Sequence, residues 1–254
     1  MRHQRAWPAS RRFSAARTEE GARALRSPAF CCRPEDEWSR VNKFVIFDLD
    51  DTLVDSAGAI DRWFVELTEQ RNLGPDGLEF LRNEHKRPVS PEETFQAIVD
   101  RFGFPELPAE LRRLFWERWP LLVRTVDGVP ESLRLLREHG WRTALLTNGR
   151  EVQQRPKMRD NLGDLFDVVC FADDEAVSKP EPEIFRLVAR RAAARLEGGW
   201  MVGDSLEHDI AGAAALGMST IWISGGRELP IEGPVPDEVV KTVTEAFPVL
   251  MSQA

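Results

Sequence analysis

Five short, largely apolar runs, each stopping at a polar cluster, constrain this chain more than any other feature. They are Phe44 to Phe47, Trp141 to Leu146, Phe166 to Phe171, Trp200 to Val202 and Thr220 to Ile223. A short apolar run without alternation suits a strand covered on both faces, the condition of strands in a parallel sheet. Helical patterns separate most of the runs. The spacing therefore predicts an α/β fold, a doubly wound and mainly parallel sheet of Rossmann type. A chain of 254 residues with 42% hydrophobic content can bury the core of one large domain or of a domain with an insert.

Residues 57–125 break the alternation and show helical periodicity only. Helices are predicted at Ile60 to Arg71, Asp76 to Lys86, Pro91 to Phe102 and Ala109 to Leu122. Ser90, Pro91 and Glu93 spell an N-cap, a proline at the first helical position and a capping box. Phe64, Leu67, Phe80, Phe95, Ile98, Phe115 and Trp119 are expected to form a separate small core. The organisation read from this is a helical cap domain, 57–125, inserted into an α/β core domain made of 41–56 and 126–254. Further helices are expected at Pro130 to Glu138, Val152 to Leu162, Pro182 to Arg195 and Pro236 to Leu250.

Charge divides the chain unevenly. Residues 1–40 carry nine arginines and five acids, while the remainder carries 25 basic and 37 acidic side chains. With no apolar periodicity to bury, 1–40 reads as a flexible Arg-rich tail. Arginine without acid as far as Thr18 imitates a mitochondrial transit peptide, but Pro8 and the spacing of the arginines give no amphipathic helix. No apolar segment follows Met1 as in a secretory signal. The net charge of −8 argues against nucleic acid as partner. No window approaches the roughly 18 consecutive apolar residues of a membrane helix. Cys31, Cys32 and Cys170 form neither a disulfide framework nor a metal-binding spacing, which suits a reducing cytoplasm. Cys170 closes an apolar run and is expected in the core.

The chemistry concentrates where the runs end, and in an open parallel sheet the carboxyl ends of the strands line the ligand crevice. The first run delivers Asp48-Leu49-Asp50-Asp51-Thr52. Carboxylates so close together are costly to desolvate without a cation or a hydrogen-bond network. The second ends in Thr147-Asn148-Gly149, a hydroxyl, an amide and a permissive backbone suited to phosphoryl oxygens. Lys179-Pro180 follows the third. Gly203-Asp204-Ser205 ends the fourth, with Asp209 five residues beyond Asp204, and these carboxylates suit a hard, oxygen-preferring metal. Asp51 reads as a turn residue and Asp173, Asp174 and Glu175 as a solvated loop.

This ordered set resembles the four motifs of the haloacid dehalogenase superfamily. They are read here as Asp48-Leu49-Asp50-Asp51-Thr52-Leu53-Val54, Thr147-Asn148, Lys179, and Gly203-Asp204-Ser205 with Asp209. The insert resembles the helical cap of the subgroup, within the phosphatase branch, whose cap follows the first motif. The resemblance implies hydrolysis of a small phosphorylated metabolite through a covalent aspartyl-phosphate, by a monomer or homodimer. It makes Asp48 the nucleophile and Asp50 the acid and then the base. It also implies Mg2+ bridging Asp48, the Asp50 main-chain carbonyl, Asp204 and a phosphate oxygen, with Asp209 holding a metal-bound water or orienting Lys179. Thr147, the Asn148 amide and Lys179 would stabilise the transferring group.

The same residues bear on rival readings, of which a phosphomutase has no independent cue in the sequence. A dehalogenase has no use for Asp50. A phosphonate hydrolase would need a cap lysine, and Lys86, the one lysine in 57–125, sits in a polar segment. A non-catalytic binding protein that kept the fold has no need of the full set Asp48, Asp50, Lys179 and Asp204. Substrate choice is expected in the cap, with His85, Lys86 and Arg87 the first residues to examine, although these three equally suit a solvated helix end.

Overall fold

A computed structural model describes residues 43–253. The Arg-rich segment, with Cys31 and Cys32, lies outside the described residues. The five apolar runs form β1 (Phe44–Phe47), β2 (Arg142–Thr147), β3 (Val168–Phe171), β4 (Trp200–Gly203) and β5 (Ser219–Ile223). A sixth strand, β6 (Glu238–Val240), joins the edge, and all pairings are parallel in the order β3-β2-β1-β4-β5-β6. Between β1 and β2 run α1 (Ser56–Arg71), α2 (Gly74–His85), α3 (Pro91–Phe102), α4 (Pro108–Leu122) and α5 (Val129–Glu138). A single turn, α6 (Glu151–Gln154), follows β2, and α7 (Pro182–Arg191) links β3 to β4. After β4 a π-helical turn, Leu206–Ala211, runs into α8 (Gly212–Ala214), and α9 (Val243–Ser252) closes the described chain.

The continuous apolar character of β1 follows from its position. Val45 and Phe47 pack into one cluster with Leu133 and Leu136 of α5 and Phe247 and Leu250 of α9. Phe44 and Ile46 point the other way, against Ile184, Phe185 and Val188 of α7. With helices on both faces every position of β1 is buried and apolar, and each such side chain contributes about 1.5–3 kcal/mol on burial. Helices α1 to α4 bury their own cluster, centred on Trp63, Phe64, Leu67, Leu81, Phe95, Ile98, Leu111 and Phe115. Phe80 and Trp119 are only partly buried against it. At the start of α3 the capping box is made: the Ser90 hydroxyl accepts from the Glu93 amide at 3.2 Å, and Glu93 accepts from the Ser90 amide at 2.9 Å.

Several expected elements differ from those observed, among them the helix expected from Ile60, which begins at Ser56. Val152 to Leu162 is not one helix: α6 ends at Gln154, and Pro156, which lacks an amide donor, lies in a 3₁₀ turn, Arg155–Lys157. A second 3₁₀ turn occupies Leu162–Leu165. The helix expected as far as Arg195 stops at Arg191, because Ala193 adopts a left-handed backbone (φ 50°). β3 starts at Val168, one residue after Asp167, whose amide donates to the Thr143 carbonyl at 2.9 Å while its carboxylate accepts from the Thr143 amide at 2.8 Å. The segment from Pro236 to Leu250 splits into β6 and α9. Among the described residues no helix is long and apolar enough to cross a membrane.

Candidate active site

β1 lies between β2 and β4, where the strand order reverses, so the ends of these three strands open into one crevice. A cavity of about 180 Å³ there is lined by Asp48, Asp50, Thr147, Asn148, Lys179 and Asp204, among others. The structure thus brings together every core residue singled out from the sequence, including Asp209.

Asp48 extends β1 by one residue, its amide donating to the Val202 carbonyl at 2.9 Å. Its carboxylate is buried and accepts from Lys179 Nζ at 2.5 Å, and the same ammonium donates to Asp209 at 2.7 Å. Burial disfavours the charge on Lys179, but Asp209 and Asp48 outweigh it and hold the ammonium above the usual lysine range. Burial also pushes the Asp48 carboxyl up to about 7; Lys179 opposes this, while Asp209 and Asp50 add to it. Asp209 is fixed on its other oxygen by the Ser205 amide at 3.0 Å. Gly203 makes room for it, since a Cβ there would overlap the Asp209 carboxylate and approach its Cβ to 2.6 Å. The Asn148 side chain both donates to the Lys179 carbonyl (3.1 Å) and accepts from the Lys179 amide (2.9 Å), tying the β2 end to the lysine loop.

Asp50 has quite different surroundings. Both of its oxygens accept from Lys157 Nζ at 2.8 Å, one also accepts from Gln154 Nε2 at 3.0 Å, and the other from the Ser56 hydroxyl. Gln154 donates as well to Thr147 Oγ1 (2.9 Å) and the Asn148 carbonyl (2.6 Å). Asp51 turns the chain away with a left-handed backbone (φ 54°) and accepts from the Ala57 amide at 2.7 Å.

Asp204 completes the acidic side. Arg227 donates to its carbonyl at 2.8 Å and to its carboxylate at 3.2 Å, and the Trp222 indole donates to the same carbonyl at 2.9 Å. Burial and then Asp209 push its carboxyl up to about 6, against the pull of Arg227. Carboxylate oxygens of Asp48, Asp204 and Asp209 lie within 4.8 Å of one another, with the buried Lys179 ammonium on Asp48 and Asp209 and the exposed Arg227 on Asp204 as their paired cations. Oxygen donors short of positive charge fit a hard divalent cation. Both Asp209 oxygens are already engaged, which leaves Asp48 and Asp204 as the side chains with an oxygen to offer.

His85, Lys86 and Arg87 are exposed and none lines the catalytic cavity. The His85 ring meets Phe64 edge-on at 5.7 Å and Arg87 pairs with the buried Glu84 at 2.5 Å. These two border a separate cavity of about 230 Å³ among helices α1, α3 and α4, walled by Trp63, Phe95, Phe115, Trp116 and Trp119; Lys86 borders neither. Sequence reasoning missed Ser56, Gln154, Lys157 and Arg227. Gln154 and Lys157 were hidden inside a wrongly continuous helix, although two long polar side chains three residues apart just after Thr147-Asn148-Gly149 were the available signal.

Residues 43–217 match the haloacid dehalogenase-like hydrolase family. The chain belongs to that family. It is 31% identical to a glyceraldehyde 3-phosphate phosphatase of Pyrococcus furiosus over 75% of this chain and 85% of the relative. It is 30% identical to the human N-acylneuraminate-9-phosphatase over 84% of this chain and 95% of the relative. Among solved structures, the HAD-hydrolase YfnB from Bacillus subtilis, crystallised with magnesium, superposes with a TM-score of 0.67 at 22% identity, covering 82% of this chain and 98% of that one. This last likeness bears on the fold. The named curated relatives are phosphatases, in keeping with the branch that the motifs resemble.

Proposed function

We propose that this protein is a magnesium-dependent phosphatase that hydrolyses a small phosphate monoester through a phosphoryl group carried on Asp48. The observation that carries this reading is the unlike setting of two carboxylates two residues apart. Asp48 is buried on Lys179 beside the acidic cluster, while Asp50 sits in its own cradle of donors. Unequal environments are what separate a nucleophile from a proton-transfer group. A dehalogenase, attacking carbon, would give Asp50 nothing to do.

In the first step Asp48 attacks phosphorus and the bond to the leaving oxygen breaks as Asp50 gives that oxygen a proton. In the second, water attacks the same phosphorus, Asp50 takes the water's proton, and inorganic phosphate and the Asp48 carboxylate are released. Lys179 and Thr147 stand at the cavity wall where charge on the transferring group must be offset. Asp48, Asp204 and the Asp50 main-chain carbonyl would hold Mg2+. Bound there, the ion would supply positive charge to a phosphate oxygen and lessen the repulsion between an anionic ester and the carboxylates. The test is phosphate release from p-nitrophenyl phosphate. It is expected to require magnesium, to stop in excess chelator and to be absent in Asp48→Asn. Full turnover in chelator would remove the metal from the account.

A further inference from the structure

The cradle of Asp50 comes from none of the four motifs. Its donors arrive from the start of α1 (Ser56), from α6 (Gln154) and from the turn after α6 (Lys157), so the plane of the carboxylate is fixed by contacts distant in sequence. Lys157 is only 3% exposed. Taking an ammonium out of water is costly, and here two things offset it: both Asp50 oxygens at 2.8 Å and the face of Trp119, whose ring centre is 4.3 Å from Nζ. Trp119 belongs to α4 in the insert. Its indole N–H donates to the Ser56 carbonyl at 3.1 Å, so one cap side chain touches two of the three residues that hold Asp50. Close by, Arg159 donates to the Leu121 carbonyl at 3.0 Å, fastening the same turn to α4.

Lys157 is buried while the Asp50 side chain is 30% exposed, and an ion pair that takes an ammonium out of water is a poor device for stability alone, because apolar replacements of similar volume are often as stable. Nor is Lys157 the cation placed at the nucleophile, since Lys179 occupies that position. We propose that Lys157 is the positioning residue for Asp50, and that Trp119 sets where Lys157 stands, so that the cap aligns the proton-transferring carboxylate. This rests on the phosphatase reading above. It adds a route by which docking of the insert bears on chemistry and not only on substrate selection.

The experiment compares wild type with Lys157→Met, Lys157→Arg and Trp119→Leu in the full chain. Its substrates are p-nitrophenyl phosphate and an alkyl phosphate that the wild type turns over. Nitrophenolate leaves without a proton, whereas an alkoxide needs one. In Lys157→Met the first-turnover burst of nitrophenolate is expected to be nearly unchanged and the steady state after it slow, because Asp50 also serves the second step. For the alkyl phosphate, kcat is expected to fall about 100-fold with KM little changed, the order of loss seen when a reacting group is misplaced by about 1 Å. Lys157→Arg, which can still pair with a carboxylate and stack on an indole, is expected to recover most of the loss. Trp119→Leu is expected to show the same split in weaker form, and it carries the test if Lys157→Met does not fold.

A raised KM with unchanged kcat would overturn the proposal by placing Lys157 on the substrate. Equal losses in burst and alkyl turnover, tracking a lower melting temperature and not rescued by arginine, would overturn it in favour of a structural role. Undiminished turnover in Asp48→Asn would sink the phosphatase reading itself, whatever Lys157 does.

Discussion

Asp48 and Asp50 show how far two identical side chains can be separated by what faces them. Asp48→Asn and Asp50→Asn are each expected to lower turnover by about three decades or more with the fold retained, since removal of a group essential to covalent chemistry has that order of effect. Circular dichroism and kcat on the same samples check this. Gly203 is a subtler case. A methyl group in Gly203→Ala would run into the Asp209 carboxylate and displace it from Lys179 and the Ser205 amide. The expected outcome is a loss of about 1–3 kcal/mol in denaturant unfolding, as for other overpacked sites, together with a fall in kcat. Cys170 is buried, and burial pushes its thiol up to about 11. At pH 8 only about one molecule in a thousand carries the thiolate, the form that reacts. Alkylation mapped by mass spectrometry should therefore leave Cys170 unmodified until denaturant is added. Rapid native labelling would contradict its burial.

At the scale of elements, the strands were legible because sheet strands covered on both faces exclude polar residues, and their ends were legible because charge reappears where the cover stops. β6 was not, for it has only two apolar residues, Val239 and Val240, and Glu238 and Val239 are exposed. The residues around Asp50 were hidden for a related reason. Contacts made by Ser56 and Lys157 with Asp50 span six and 107 positions, and no local pattern encodes them. The α3 capping box was readable because it is wholly local. Ser90→Ala is expected to cost about 0.5–2 kcal/mol, the range for an N-cap hydroxyl, measured as a drop in the cap's thermal stability. Activity on p-nitrophenyl phosphate at low temperature should survive.

For the whole molecule, the sheet gathers the proposed phosphoryl chemistry at one crossover point, and helices α1 to α4 have a core of their own. The helical stretch between β1 and β2, with its own apolar cluster, was visible as a change in hydrophobic period. What the insert would recognise was not, because His85, Lys86 and Arg87 stay outside the catalytic cavity while aromatic residues wall the cap's own. Residues 1–40 offer no apolar pattern for docking on that body. A chain trimmed to begin at Val41 is therefore expected to match the full chain in kcat and melting temperature, and a clear fall in either would assign the segment a structural part.

In the proposed mechanism the phosphoryl group rests on Asp48. Asp50→Asn mixed with p-nitrophenyl phosphate and magnesium, quenched in acid and analysed by peptide mass spectrometry, tests it most directly. This leaving group departs without a proton, and the variant lacks the base that frees the enzyme. The account expects the Asp48 peptide to carry one phosphoryl group, and the same peptide from Asp48→Asn to carry none. Turnover by the wild type with no phosphoryl group on Asp48 in the quenched variant, or a phosphoryl group on another residue, would contradict it.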